Sequence, residues 1–100
     1  MALQIDISPD RIADFCRKWR IREFSLFGSV LRDDFRPDSD VDVLVVFEPG
    51  ASPQLEPWLD MLDELRAMFG REVDLVERQR LRNPFRRQHI LTNRRVMYAA

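Results

Sequence analysis

The run from Asp40 to Phe47, Asp-Val-Asp-Val-Leu-Val-Val-Phe, constrains this chain more than any other segment. Its β-branched content, and its stop at Glu48-Pro49-Gly50, read as a strand. Residues two apart share a face of a strand, so Val41, Val43, Val45 and Phe47 make one wholly apolar face that helices must cover. Asp40 and Asp42 head the other face, followed by Leu44 and Val46. Two adjacent carboxylates repel each other and are costly to desolvate unpaired, so something positive is expected between them.

The remaining elements follow from local signals. A helix is expected over Pro9 to Trp19, with Ser8 as N-cap, Pro9 in its first turn, and Ile12, Phe15, Cys16 and Trp19 on its apolar face. Cys16 therefore reads as core. Ile21 to Phe27 reads as a strand ended by Gly28-Ser29, followed by a two-turn helix from Val30 to Phe35 and a turn at Arg36-Pro37-Asp38-Ser39. The next helix begins between Pro53 and Pro57, with Leu55, Trp58, Leu59, Leu62, Leu65 and Phe69 as its buried stripe and Gly70 as its C-terminal cap. Glu72 to Glu77 reads as a third strand, Pro84 to Leu91 as a short helix, and Arg95 to Tyr98 as a fourth, edge strand. This order indicates a single α/β domain with a small sheet.

At 100 residues the chain makes one small domain with a modest core, so a bound partner or a homo-oligomer is expected to cover part of its apolar surface. No apolar run approaches the length of a membrane span and the N-terminus lacks the pattern of a signal peptide, which makes the cytoplasm the default location. The single cysteine excludes an internal disulfide and a cysteine metal cluster, and the single histidine, His89, reads as a surface or packing residue. Charge is unevenly distributed. From Val76 onward there are seven arginines and one acid, Glu77, although the net charge of the chain is −1. Arginine suits bidentate contact with phosphate or carboxylate, so this segment is either a solvated, ion-paired surface or an electropositive face for a nucleotide, RNA or an acidic protein.

The carboxylates carry the chemistry. The Asp-x-Asp spacing of Asp40 and Asp42 puts their Cα atoms about 7 Å apart, and their oxygens can converge on two divalent cations ~3.5–4 Å apart. Such cations take carboxylate and phosphate ligands. If the Glu72–Glu77 strand pairs beside the Asp40 strand, Asp74 faces the same site as a third carboxylate. Upstream, Gly28 would let a phosphate approach the backbone, and Ser29 adds a hydroxyl where a strand turns into a helix.

Taken together, Gly28-Ser-Val-Leu-Arg-Asp-Asp-Phe-Arg-Pro-Asp-Ser-Asp-Val-Asp-Val-Leu-Val resembles the signature of the DNA polymerase β-type nucleotidyltransferase fold. The short chain and the segment Arg-Glu-Val-Asp-Leu-Val are similar to the minimal nucleotidyltransferases, the antitoxins of HEPN toxin–antitoxin pairs. The resemblance covers about residues 20 to 98. It implies an α+β domain over 1–100 with a small mixed sheet and helices packed mainly on one face. It further implies that Asp40, Asp42 and Asp74 are the catalytic and metal residues, with Asp74 the general base. Gly28 and Ser29 would hold the triphosphate, and Arg32 and Ser39 would support the loop and the phosphates. Two departures stand out: family members often have a small residue where Leu31 stands and Gly where Asp33 stands. The second domain with which larger relatives clasp the base is also absent from this sequence.

The expected activity is AMP transfer from ATP, with two Mg2+ ions, onto a tyrosine hydroxyl of a HEPN-domain toxin. The alternatives are a non-catalytic antitoxin that neutralises its toxin by binding, or a nucleotidyltransferase acting on a small molecule or an RNA end.

Overall fold

The computed structural model describes residues 7–32, 36 and 38–100. Among the described residues three α-helices and four strands follow in the order α1 (Pro9–Trp19), β1 (Ile21–Phe27), β2 (Val41–Phe47), α2 (Leu55–Phe69), β3 (Val73–Glu77), α3 (Pro84–Thr92) and β4 (Arg94–Ala99). The sheet order is β3-β2-β1-β4. β1 pairs antiparallel with both β2 and β4, whereas β2 and β3 are parallel, so the sheet is mixed as expected. The parallel pair requires a crossover, and α2 supplies it.

The apolar face of β2 is covered as its sequence demands. Val41, Val43 and Val45 are fully buried among Ile12, Met61 and Leu65 of α1 and α2. Burial of each such side chain contributes roughly 1.5–3 kcal/mol. Cys16 lies in this core. Among the described residues no helix is long and apolar enough to cross a membrane.

Three details differ from the sequence reading. The Gly28-Ser29 turn opens a 3-10 helix, Gly28–Leu31, that ends at an extended Arg32, in place of two turns from Val30. The remainder of that expected helix, residues 33–35, lies outside the described residues, as do Pro37 of the following turn and the Asp33 departure. Ser8 occupies the N-cap of α1, but its side chain makes no capping bond. The α2 stripe is rotated: Met61 and Leu65 are buried, while Leu55 and Leu59 are 71% and 48% exposed. Pro57 is in the first turn of α2, where a missing N–H is tolerated.

The second face of the sheet is also covered, which the sequence did not show. Leu44 is 1% exposed and packs in a separate small cluster with Phe27, Leu81 and Ile90. Thus α1 and α2 cover one face, and α3 with the segment before it covers part of the other.

Candidate active site

The register of the sheet assembles the carboxylates. Asp42 is the second residue of β2, and its parallel partner on β3 is Asp74. Directly paired residues point to the same face, so these two carboxylates are lateral neighbours. Asp40 precedes the strand in an exposed position, one residue before Val41, whose N–H donates to Glu72 O at 3.0 Å. The expected trio is therefore brought to one end of two adjacent strands. Among the described residues, no three His, Cys, Asp or Glu side chains stand in a ready-made metal cage.

On its other side Asp42 pairs with Phe27, the last residue of β1. Gly28 follows with φ of +76°, a conformation that L side chains rarely adopt. A Cβ at this position would overlap Asp42 Oδ2 and stand 3.1 Å from Asp42 Cγ. Glycine suits this position on two counts: the backbone is left-handed, and the Asp42 carboxylate occupies the place of the missing side chain. The Asp42 carboxyl is pushed above its usual range by burial, and then by the charges of Asp74 and Asp40, while Arg32 and Arg86 pull it down.

A cavity of about 780 Å³ opens over this point. Phe27, Gly28, Arg32 and Asp42 form one side. Leu31 also lines it, so this departure from the family pattern faces the cavity and not the outer side of the short helix. Opposite stand Arg86, His89, Ile90 and Asn93 of α3 and the cap residue after it, at positions i, i+3, i+4 and i+7 of one helical face. Sequence reasoning missed Arg86 and read His89 as a surface or packing residue. Their spacing around Ile90 was the available signal, but polar residues at such spacing also describe an ordinary solvated helix face.

Two expected phosphate-loop residues have specific places. The Arg32 N–H donates to Ser29 O at 2.9 Å, closing the short helix, and the Arg32 side chain lines the cavity. Ser39 holds its loop: its Oγ accepts from Arg36 N at 3.0 Å and its N–H donates to Arg36 O at 3.0 Å. Arg71 donates to the carbonyls of Arg36 and Ser39 at 3.0 and 3.2 Å, tying the loop before β2 to the start of β3. Ser39 thus supports the segment that delivers Asp40, and Arg71 is a positioning residue absent from the sequence reading.

The nucleotidyltransferase domain family matches residues 10–97. Protein adenylyltransferase MntA of Thermococcus cleftensis is 38% identical over 66 residues, which cover 66% of this chain and 65% of the relative. The crystal structure of a toxin–antitoxin pair with AMP-PNP superposes with a TM-score of 0.76 at 18% identity, covering 94% of this chain and 75% of that one. A tri-AMPylated Shewanella oneidensis HEPN toxin in complex with an MNT antitoxin gives a TM-score of 0.65 at 18% identity, covering 92% and 70%. At such identity the two solved structures establish the fold. The match across residues 10–97, on a chain whose Gly28 and Asp42 line one cavity and whose Asp74 is the in-register neighbour of Asp42, places this protein in the nucleotidyltransferase domain family.

Proposed function

We propose that this protein is an antitoxin that transfers AMP from ATP to a tyrosine hydroxyl of a cognate HEPN toxin. The observation that carries the reading is the in-register pair Asp42 and Asp74, of which Asp42 is set against Gly28 on the wall of a cavity that Arg32, Arg86 and Arg95 also line. The name of the Thermococcus relative supports protein adenylylation, and the two toxin–antitoxin neighbours support the partner class and ATP.

In this reading Gly28 lets the triphosphate approach the backbone, and Ser29 and Arg32 hold it. The acceptor oxygen bonds to the α-phosphorus while the bond from that phosphorus to the bridging oxygen breaks. The electron pair leaves on pyrophosphate, and Asp74, exposed on β3, takes the hydroxyl proton. Asp40, Asp42 and Asp74 are the residues that would hold two Mg2+ ions. Burial, and then the charges of Asp74 and Asp40, raise Asp42, and the repulsion among the three is what a cation would relieve. When bound, Mg2+ supplies charge neutralisation to the triphosphate and acidifies the attacking hydroxyl.

The test is co-expression with the HEPN toxin, followed by intact-mass measurement of the toxin. A mass gain in AMP units that Asp42→Asn abolishes supports transfer. Equal suppression of toxicity by wild type and Asp42→Asn, with no mass change, means neutralisation by masking and overturns the enzymatic reading.

A further inference from the structure

The α3 side of the cavity has been given no task so far. Asn83 caps the helix, its Oδ1 accepting from Phe85 N and Arg86 N at 3.0 and 3.2 Å. One turn later Ile90, 3% exposed, anchors the helix on Phe27 and Leu44 of the sheet. Arg86 and Ile90 are four residues apart and therefore on the same helical face. The anchor thus fixes which way Arg86 points, and Arg86 lines the cavity that Gly28 and Asp42 line from the other side.

The charge balance of that cavity favours a polyanion. Among the described residues three guanidinium groups, Arg32, Arg86 and Arg95, and one carboxylate, Asp42, line it. Arg32 and Arg95 engage other groups as well. Arg86 acts on the Asp42 carboxyl, lowering it against the effect of burial and of the neighbouring acids. A guanidinium offers a planar fork that matches two phosphate oxygens and stays charged at any working pH.

We propose that Arg86 contacts the triphosphate tail of the nucleotide, gripping the β- and γ-phosphates from α3 across the cavity from Gly28 and neutralising the charge that develops on departing pyrophosphate. The inference rests on the proposed nucleotidyl transfer and assigns one element of it. In this reading α3 closes the phosphate site from the wall opposite Gly28.

The experiment compares nucleotides that differ only in the tail. Binding of AMP-PNP and of AMP, each with Mg2+, is measured for wild type, Arg86→Ala, Arg86→Gln and Arg86→Lys, AMP by competition with a fluorescent ATP analogue. Loss of one charge-assisted phosphate contact should raise the Kd for AMP-PNP about 10- to 100-fold. AMP should be unaffected, and Lys should recover part of the loss. Equal weakening of AMP and AMP-PNP would move the contact to the nucleoside or α-phosphate and overturn the proposal, and so would unchanged AMP-PNP binding in a folded variant. Arg86 is exposed, so the variants should melt like the wild type. A wild type that binds neither nucleotide would overturn the proposed function itself, a result separable from a failure of Arg86 alone.

Discussion

The Asp42 carboxylate occupies the space in which a side chain at Gly28 would lie, so a side chain can be added at Gly28 only if that carboxylate moves or is removed. Gly28→Ala should lose nucleotidyl transfer. It should also destabilise the domain by about 2 kcal/mol or more, because a left-handed backbone and an overlap are imposed at once. Combining it with Asp42→Ala should recover part of the stability and none of the activity. A double-mutant cycle from chemical denaturation reads this coupling. Additive losses would show that the glycine answers to its backbone alone.

Asp42 makes a second, opposite prediction. Its carboxyl is raised by burial, with Asp74 and Asp40 adding to the shift, so the folded state disfavours the charged form. Wild-type stability from this group is present below the unfolded value of 3.8 and is lost as pH rises through the elevated folded value. In EDTA near neutral pH, Asp42→Asn should therefore melt higher than wild type, by up to about 4 °C. The difference should vanish in acid, and Mg2+ should raise the melting temperature of the wild type only. Differential scanning calorimetry across pH checks all three statements. A lower melting temperature for the variant in EDTA would contradict them.

The site was legible where its determinants are local. The Asp-x-Asp spacing fixes the relation of Asp40 to Asp42, and the Gly28-Ser29 step fixes the end of β1, because both depend on strand geometry within a few residues. That Asp74 faces Asp42 depended on which strand is parallel to β2, and the α2 crossover decides it. The covering of Leu44 was not legible. It depends on Leu81 and Ile90, apolar residues nine apart in an arginine-rich stretch, brought together only by the fold. The same long-range contact hides Arg86 and His89, whose local context is that of a solvated helix. The rotation of the α2 stripe has a simpler cause: Leu55 and Leu59 belong to one edge of a broad apolar arc, and the sheet takes the other edge, at Met61 and Leu65.

Cys16 provides a test of the core that is independent of the active site. Burial pushes its thiol up from 9.0 to about 12, with Arg17 acting in the opposite sense. Above pH 9 the unfolded chain ionises this thiol and the folded one does not, so folding stability should fall as pH rises from 9 toward 12. The contribution of this group to that slope is at most about 1.4 kcal/mol per pH unit. Cys16→Ala should flatten the alkaline limb relative to wild type. Iodoacetamide should label Cys16 at a rate set by unfolding, which added denaturant accelerates. Rapid labelling of the folded protein at pH 8 would contradict the burial.

Ile90 connects packing to catalysis. It is the α3 residue buried against Leu44 and Phe27, and the cavity-lining residues Arg86, His89 and Asn93 are arranged around it on one helical face. Ile90→Ala leaves a cavity in a cluster too small to close over it, at a cost of about 2–4 kcal/mol. Since the larger core of α1, α2 and the opposite sheet face is untouched, the loss should be felt first as loosening of α3. Hydrogen exchange should therefore accelerate over residues 84–92 well before it does over β1 and β2. ATP affinity should fall with it even under conditions where the domain remains folded. Ile90→Val, which keeps most of the volume, should cost only about 1 kcal/mol and retain nucleotide binding. Uniform acceleration of exchange over the whole domain in Ile90→Ala would show instead that the two faces of the sheet unfold as one unit.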